Sequence, residues 1–231
     1  MMFQLNNVSK TYRRRQQQVV AFEVDSLAID SGEYVAIVGP SGSGKTTLLS
    51  LLGGMLSPDE GEVLLDGHPM YELSVARRTE LRRQYLGFVF QTFNLVPYLT
   101  ALENVAIPLL LNGAPKAVQN MRAKELLEEV DLAERIDHKP SELSVGQQQR
   151  VALARTMAND PKVILADEPT GNLDPESREM VLSKFDEFVA EGRTIVTVTH
   201  DPAAASRAKR QLLITGGQLG VSVDRSLSCV A

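Results

Sequence analysis

One cysteine in 231 residues excludes an intramolecular disulfide, and Cys229, third from the C-terminus, is one place short of the register of a prenylation box, so it reads as an ordinary free thiol. Long apolar runs are also missing. None approaches the about 18 residues of a membrane span, and the opening MMFQLNNVSK lacks the positive leader and apolar core of a signal peptide. These absences predict a chain that stays in the cytosol. There is no excess of positive charge: the net charge of −5 argues against a general nucleic-acid binder, so no nucleic-acid partner is expected, although a local basic patch stays open. No internal repeat of useful length is present, and the one low-complexity piece, Arg13–Gln18 (RRRQQQ), reads as a solvated hairpin tip. What remains, 43% hydrophobic and 23% charged residues, is ordinary for a globular protein and sufficient for one sizeable core.

Strand-like stretches are predicted at Phe3–Val8, Val19–Ile29, Tyr34–Val38, Val63–Leu65, Gly87–Phe90, Val163–Ala166, Thr194–Thr199 and Gln211–Ile214. Helical patterns occupy Leu48–Leu52, Arg77–Tyr85, Pro175–Glu191 and Ala114–Val130, the last with Val118, Met121, Leu126 and Val130 near one face. This alternation predicts an α/β sheet that binds ligands at the C-terminal ends of its strands. Between Gln91 and Pro161 the pattern is almost wholly helical, which predicts a helical insertion separating two groups of strands.

Residues 39–47 read GPSGSGKTT, directly after the apolar run Tyr34–Val38 and directly before a leucine-rich helix. Glycines let successive backbone N–H groups curl around a β-phosphate, and a helix N-terminus adds partial positive charge. Gly39, Pro40, Ser41, Gly42, Ser43, Gly44, Lys45, Thr46 and Thr47 are therefore the expected nucleotide-binding residues. Lys45 would reach the β- and γ-phosphates, and the Thr46 hydroxyl would coordinate Mg²⁺. Kinases, GTPases, helicases and transport ATPases share such a loop, so it assigns the ligand class and not the job. No Asn-Lys-x-Asp sequence for reading guanine is present, which disfavours a GTPase.

VILADE at 163–168 is an apolar strand ending in two carboxylates. Asp167 is expected to hold the Mg²⁺ shell and Glu168 to polarise an attacking water, with Pro169 enforcing the turn; alone, such a pair also suits a helix-capping turn. The run Ile195–Thr199 delivers His200 to a strand end, where a histidine serves either as a structural hydrogen-bonder or as a γ-phosphate contact. Gln91 closes Gly87–Phe90 in the same manner and can contact Mg²⁺ or the lytic water, or be an ordinary loop glutamine.

With LSVGQQQR at 143–150, LADEPTGNLD at 165–174, GPSGSGKTT, Gln91 and His200, the chain resembles the ATP-binding cassette (ABC) family along nearly its whole length. The resemblance implies a single ATPase domain over 1–231 with a P-loop NTPase (RecA-like) α/β core, an N-terminal antiparallel β-subdomain and an α-helical subdomain inserted at about 92–160. It implies a head-to-tail dimer of two copies around two MgATP. Ser144 and the N–H of Gly146 would then face the γ-phosphate bound to the partner, whereas an isolated Leu-Ser-x-Gly-Gln is merely a helix start capped by Ser144. Tyr12 would stack on adenine, though a tyrosine ending a strand is as often a packing residue. Gly171–Asp174 would cross the interface, and Gln91 would couple the nucleotide to integral membrane permease subunits. TALENVAIPLL (100–110), PSELS (140–144) and LADEPTGNLD are most similar to the branch serving lipoprotein release, macrolide or peptide efflux and related division-associated complexes.

Val145 departs from the family, which usually has glycine there; a β-branched side chain where two subunits and a phosphate meet predicts slower or weaker ATP-driven closure. Mechanical or regulatory work with a membrane partner, without solute transport, fits the same motifs. A soluble translation or DNA-repair ABC protein would carry two cassettes or a long coiled-coil insertion, and neither is present.

Overall fold

The computed structural model describes residues 1–14 and 17–224. The chain begins as a long antiparallel hairpin of β1 (Phe3–Arg14) and β2 (Gln17–Ile29), in which Phe3 pairs with Ile29 and Arg14 with Gln17. The expected hairpin tip at Arg13–Gln18 is thus flanked by a pair, while residues 15 and 16 lie outside the described residues. Both strands run further than their apolar cores suggested. Beyond Val8 the polar part of β1 is held by Asp59, whose carboxylate accepts from Lys10 Nζ at 2.6 Å and from the Thr11 N–H at 2.7 Å. On its other side β1 pairs with β4 (Glu60–Leu65), which carries the short β5 (His68–Pro69).

The parallel half of the sheet consists of β3 (Tyr34–Val38), β6 (Leu86–Phe90), β7 (Val163–Asp167), β8 (Thr194–Val198) and β9 (Arg210–Thr215), in the spatial order β9-β3-β8-β7-β6. β10 (Gln218–Asp224) pairs antiparallel with β9 and meets β2 at Gln218 and Glu23, joining the two halves into one sheet of ten strands among the described residues. From sequence the tail Gly217–Ala231 reads equally as an ordered segment or a frayed terminus. Its first part is this strand, and Cys229 lies outside the described residues.

Side-chain alternation explains why these parallel strands are apolar throughout. In β3, Tyr34 and Ala36 face one core while Val35 and Ile37 face another; in β7, Ile164 and Ala166 oppose Val163 and Leu165 in the same way. One core receives Leu48, Leu51 and Leu52 of α1 (Lys45–Leu52), next to α2 (Val75–Tyr85). The other receives α3 (Ala101–Leu111), α4 (Lys116–Glu128), α5 (Val145–Met157) and α6 (Pro175–Ala190). Each fully buried aliphatic side chain contributes roughly 1.5–3 kcal/mol. α3 to α5 all fall between β6 and β7, so the helical stretch is spliced between two neighbouring parallel strands.

α4 corrects the predicted helix face. Val118 and Met121 are exposed, and the buried stripe is Gln119, Ala123, Leu126 and Leu127. Pro115 starts the helix, and Gln119 turns inward to donate to the Ala114 carbonyl at 2.7 Å. Small Ala123, which carries little weight in an apolarity count, then sits where neighbouring helices come close. The geometry that matters for function is simpler: β3, β6, β7 and β8 run in one direction, so Gly39, Gln91, Glu168 and the turn holding His200 all follow strand ends on one edge.

Candidate active site

The loop after β3 is shaped by glycines at positive φ: Gly39 at 150°, Gly42 at 76° and Gly44 at 109°. Two of these are also required by close approach. A Cβ at Gly39 would lie 2.1 Å from the Ile214 carbonyl oxygen of β9, and one at Gly44 2.2 Å from the Ala21 carbonyl oxygen of β2. The loop is therefore wedged between the two halves of the sheet. α1 starts at Lys45 with no side-chain cap and no acidic residue in its first turn, which leaves its leading N–H groups open to an anion. Lys45 Nζ donates to the carbonyls of Gly39 at 2.8 Å and Pro40 at 2.9 Å and keeps a third N–H for another acceptor. Ser43 Oγ is buried and has no hydrogen-bond partner among the described residues. Pro40, Ser41 and Thr46 are exposed, and Thr47 is half-buried.

Beside the loop, β1 and β2 contribute Tyr12, Val19 and Val20 to a cleft of about 420 Å³ whose floor is Gly44 to Thr47. Tyr12 is 48% exposed, so its ring is not consumed by core contacts and can stack on a planar base. Arg13 stands next to it on the same wall, a neighbour that the turn-like RRRQQQ pattern had concealed.

The second wall is built at the ends of β7 and β8. Asp167 is half-buried, and burial, then the neighbouring Glu168 charge, pushes its carboxyl above the usual range against the opposing pull of Lys45. Glu168 sits at φ 48°, and its N–H bonds the Val198 carbonyl at 2.9 Å, which folds the turn back onto β8. There its Oε1 lies 2.8 Å from His200 Nδ1, and its Oε2 accepts from the His200 N–H at 3.3 Å. The structure thus places two of the sequence-derived candidates in direct contact. The imidazole is 70% exposed, and its other nitrogen is directed away from this bond. Gln91 follows Phe90, which pairs with Asp167, and its amide lies near Gly171, where a Cβ would be 3.2 Å from Nε2.

Oxygen donors from Thr46, Gln91 and Asp167 suit Mg²⁺, a hard cation that keeps several ligands from water and phosphate. Among the described residues no group of three or more His, Cys, Asp or Glu side chains could by itself cage a metal. An ion held largely through a nucleotide's phosphates needs no such cage, and the unfavourable charge pair Asp167–Glu168 is the kind of position that a cation relieves.

Ser144, Val145 and Gly146 form the start of α5 and do not line that cleft. Ser144 caps α5 through a reciprocal box: its Oγ accepts from the Gln147 N–H at 3.2 Å, and Gln147 Oε1 accepts from the Ser144 N–H at 2.9 Å. The local helix-cap reading is therefore correct as far as it goes. Val145 is 48% exposed, and Gly146 is buried against the start of α6. There Asp174, exposed, caps the helix by accepting from the Ser177 N–H at 3.0 Å, and hydrogen bonds from Ser177 hold its carboxyl below the usual range.

Several supporting residues had no signal in the sequence. Gln149, fully buried on α5, donates to the Pro169 carbonyl at 2.9 Å and ties that helix to the turn after Glu168. Arg155, also on α5, donates to the carbonyls of Phe93 and Asn94 at 2.6 Å each and so braces the loop that follows Gln91. Asn104 of α3, fully buried, donates to the carbonyls of Val96, Leu99 and Thr100 and accepts from the Val96 N–H, ordering the rest of that loop. Asp201 caps α7 (Pro202–Arg207) and bonds Thr170 at 3.4 Å. Only the apparent helix start Asp-Pro at 201–202 hinted at any of these.

Comparison with known proteins places this arrangement. The family model described as ABC transporter matches residues 22–171. An uncharacterised ABC transporter ATP-binding protein of Bacillus subtilis (strain 168), YvrO, is 45% identical over 94% of this chain and 95% of its own. Another from Thermotoga maritima is 48% identical over 86% of this chain and 85% of its own. Among solved structures, the dimeric post-hydrolysis state of the ATP-binding cassette MJ0796 bound to ADP and Pi matches with a TM-score of 0.90 and 41% identity, covering 96% of this chain and 98% of that one. A dimeric structure of MJ0796 as a bacterial ABC transporter cassette matches equally, at 42% identity. The fold is accordingly the expected α/β P-loop NTPase core with its N-terminal antiparallel strands and inserted helices.

Proposed function

The chain belongs to the ABC transporter family, and from that membership we propose that two copies close head to tail around two MgATP and drive a separate membrane permease. It is an ATPase, converting ATP to ADP and phosphate. In the proposed arrangement each nucleotide lies between the phosphate loop of one copy and Ser144 and Gly146 of the other. The observation that supports this reading is that Gly146 packs against Ser177 and Asp174 and neither Ser144 nor Gly146 lines the cleft formed by Tyr12 and the phosphate loop, so a second copy would be needed to bring them to a nucleotide held there.

Tyr12 would hold adenine, the amides of Gly39 to Thr47 would hold the β-phosphate, and Lys45 would bind the β- and γ-phosphates. Thr46, Asp167 and Gln91 would hold Mg²⁺, which when bound neutralises charge on the phosphate oxygens. Glu168, its carboxylate oriented by His200, would take a proton from the attacking water. The water oxygen bonds to the γ-phosphorus as the bond to the β–γ bridging oxygen breaks, releasing ADP and phosphate. His200 would contact the γ-phosphate, and the partner's Ser144 and Gly146 N–H would stabilise the developing charge.

Residues 1–231 act as one unit in this scheme, with the helical part at about 92–160 passing motion outward. A groove of about 300 Å³ between β6, α3 and α5, floored by Phe88, Phe90 and Pro108, adjoins the loop after Gln91 and suits a permease segment. Tyr98, Leu110 and Leu111 are further exposed apolar residues of the inserted helical part. Among the described residues no helix is long and apolar enough to cross a membrane, so the membrane attachment proposed is peripheral, on the cytoplasmic face through the permease. The segment similarities at 100–110, 140–144 and 165–174 favour the lipoprotein-release, macrolide-efflux or peptide-efflux branch.

Glu168→Gln tests the core of the scheme. The variant is expected to bind ATP, lose turnover and elute as a dimer when ATP is present. Hydrolysis at the normal rate would remove Glu168 as the base, and elution as a monomer would count against the paired arrangement.

A further inference from the structure

Gly146 is one residue from an exposed helix start, where a small side chain would ordinarily be free to point into solvent. Here it has no room. A Cβ on Gly146 would lie 2.2 Å from Ser177 Oγ, 3.1 Å from Ser177 Cβ and 3.9 Å from Asp174 Oδ2. Its φ is not in the left-handed region, so the backbone makes no demand for glycine; the neighbour does. That neighbour is itself fixed. Ser177 is 8% exposed, its Cβ position is set by the first turn of α6, and its N–H and hydroxyl both bond the Asp174 carboxylate. Turning the hydroxyl aside to admit a methyl would break the second bond inside a buried contact, and Ser177 Cβ, 3.1 Å away, would still have to give by a few tenths of an ångström.

We infer that Ser177 is a positioning residue: by seating Gly146 within the same chain it locks the first turn of α5 to the first turn of α6, so that Ser144, Gly146 and Asp174 approach a second copy as one rigid edge. This deepens the paired-site reading above and rests on it. It gives Gly146 a requirement separate from its N–H: the glycine is needed before any partner or phosphate arrives.

The test is a double-mutant cycle in the full chain with Gly146→Ala, Ser177→Gly and the pair, each measured by thermal unfolding without nucleotide and by steady-state MgATP turnover. Gly146→Ala is expected to lower the unfolding midpoint and to reduce kcat by about tenfold or more, with little change in the affinity of the loop for ATP. Adding Ser177→Gly removes both atoms that the methyl meets, and kcat should return to within about threefold of the Ser177→Gly reference, with the midpoint recovering in parallel. A double variant no better than Gly146→Ala in either measurement overturns the inference and leaves the glycine requirement to the phosphate side. A recovered midpoint with unrecovered turnover overturns the positioning role, because the contact would then be structural alone. The unfolding cycle needs no second copy. It therefore stands or falls apart from the ATP-dependent dimerisation of Glu168→Gln, whose absence would instead count against the paired site.

Discussion

Arg155→Ala is expected to lower folding stability by about 3 kcal/mol, from two hydrogen bonds of a charged donor at about 1.5 kcal/mol each. The lower end of the usual range applies because the Asn94 side of the contact is exposed while the Phe93 side is half-buried. Burial also pulls the Arg155 pKa down, so the guanidinium has a desolvation cost that these carbonyls offset. Phe93 and Asn94 both hold positive φ, 58° and 50°, a conformation that costs a non-glycine residue roughly 1–2 kcal/mol. Without the arginine nothing on α5 opposes relaxation of that turn, and Gln91, two residues before it, loses its defined position. Arg155→Lys keeps the charge but offers a point donor in place of a fork, so it should cost about half as much. Urea denaturation would read the stability change from the midpoint at constant slope, and ATP titration with steady-state kinetics would read function. Turnover should fall more than ATP affinity, since Arg155 braces the loop after Gln91 and does not line the cleft beside the phosphate loop. A loss below about 0.5 kcal/mol for the alanine variant, within the range of ordinary surface changes, would refute the assignment of Arg155 as the brace.

Val145→Gly is expected to speed steady-state turnover, because it removes a half-exposed branched side chain from the edge offered to a second copy; an unchanged rate would make the valine neutral. Asp167→Asn removes a half-buried charge pressed against Glu168, so the nucleotide-free variant should unfold at a higher temperature than the parent while Mg²⁺-dependent turnover is lost. An equal or lower unfolding midpoint would contradict the strain ascribed to that pair. Asp59 is held at about 2, from 3.8, by its hydrogen bonds to Lys10 and Thr11. A depressed carboxylate pKa contributes stability that is complete above 3.8 and is lost as pH falls toward about 2, so Asp59→Asn should flatten the acid limb of the unfolding-midpoint profile in that window. Parallel limbs in the two proteins would show that the clamp contributes nothing.

Much of this molecule is readable because its chemistry is contiguous. Strand, glycine turn and lysine follow one another over Tyr34–Thr47, so both the conformation and the ligand class are local properties. Parallel strands buried on both faces announce themselves as short apolar runs, and the bounds expected for Tyr34–Val38 are those observed. The failures share a cause as well. α4 buries Gln119 and Ala123 in place of Val118 and Met121, because its orientation was decided by Pro115 and by the room between neighbouring helices. β10 has too weak an apolar pattern to announce itself and exists because β9 presents an edge to it.

From the sequence alone came the phosphate loop, the acidic strand end, the histidine strand end and the family they resemble, since each is encoded by adjacent residues. Tertiary structure alone decided which of them touch. The bond between Glu168 and His200, the reach of Arg155 to a turn some sixty residues away, and the contact of Gly146 with Ser177 all join segments far apart in the chain. Their meeting depends on how the sheet orders its strands and how the spliced helices lie upon it, and no local pattern carries that information.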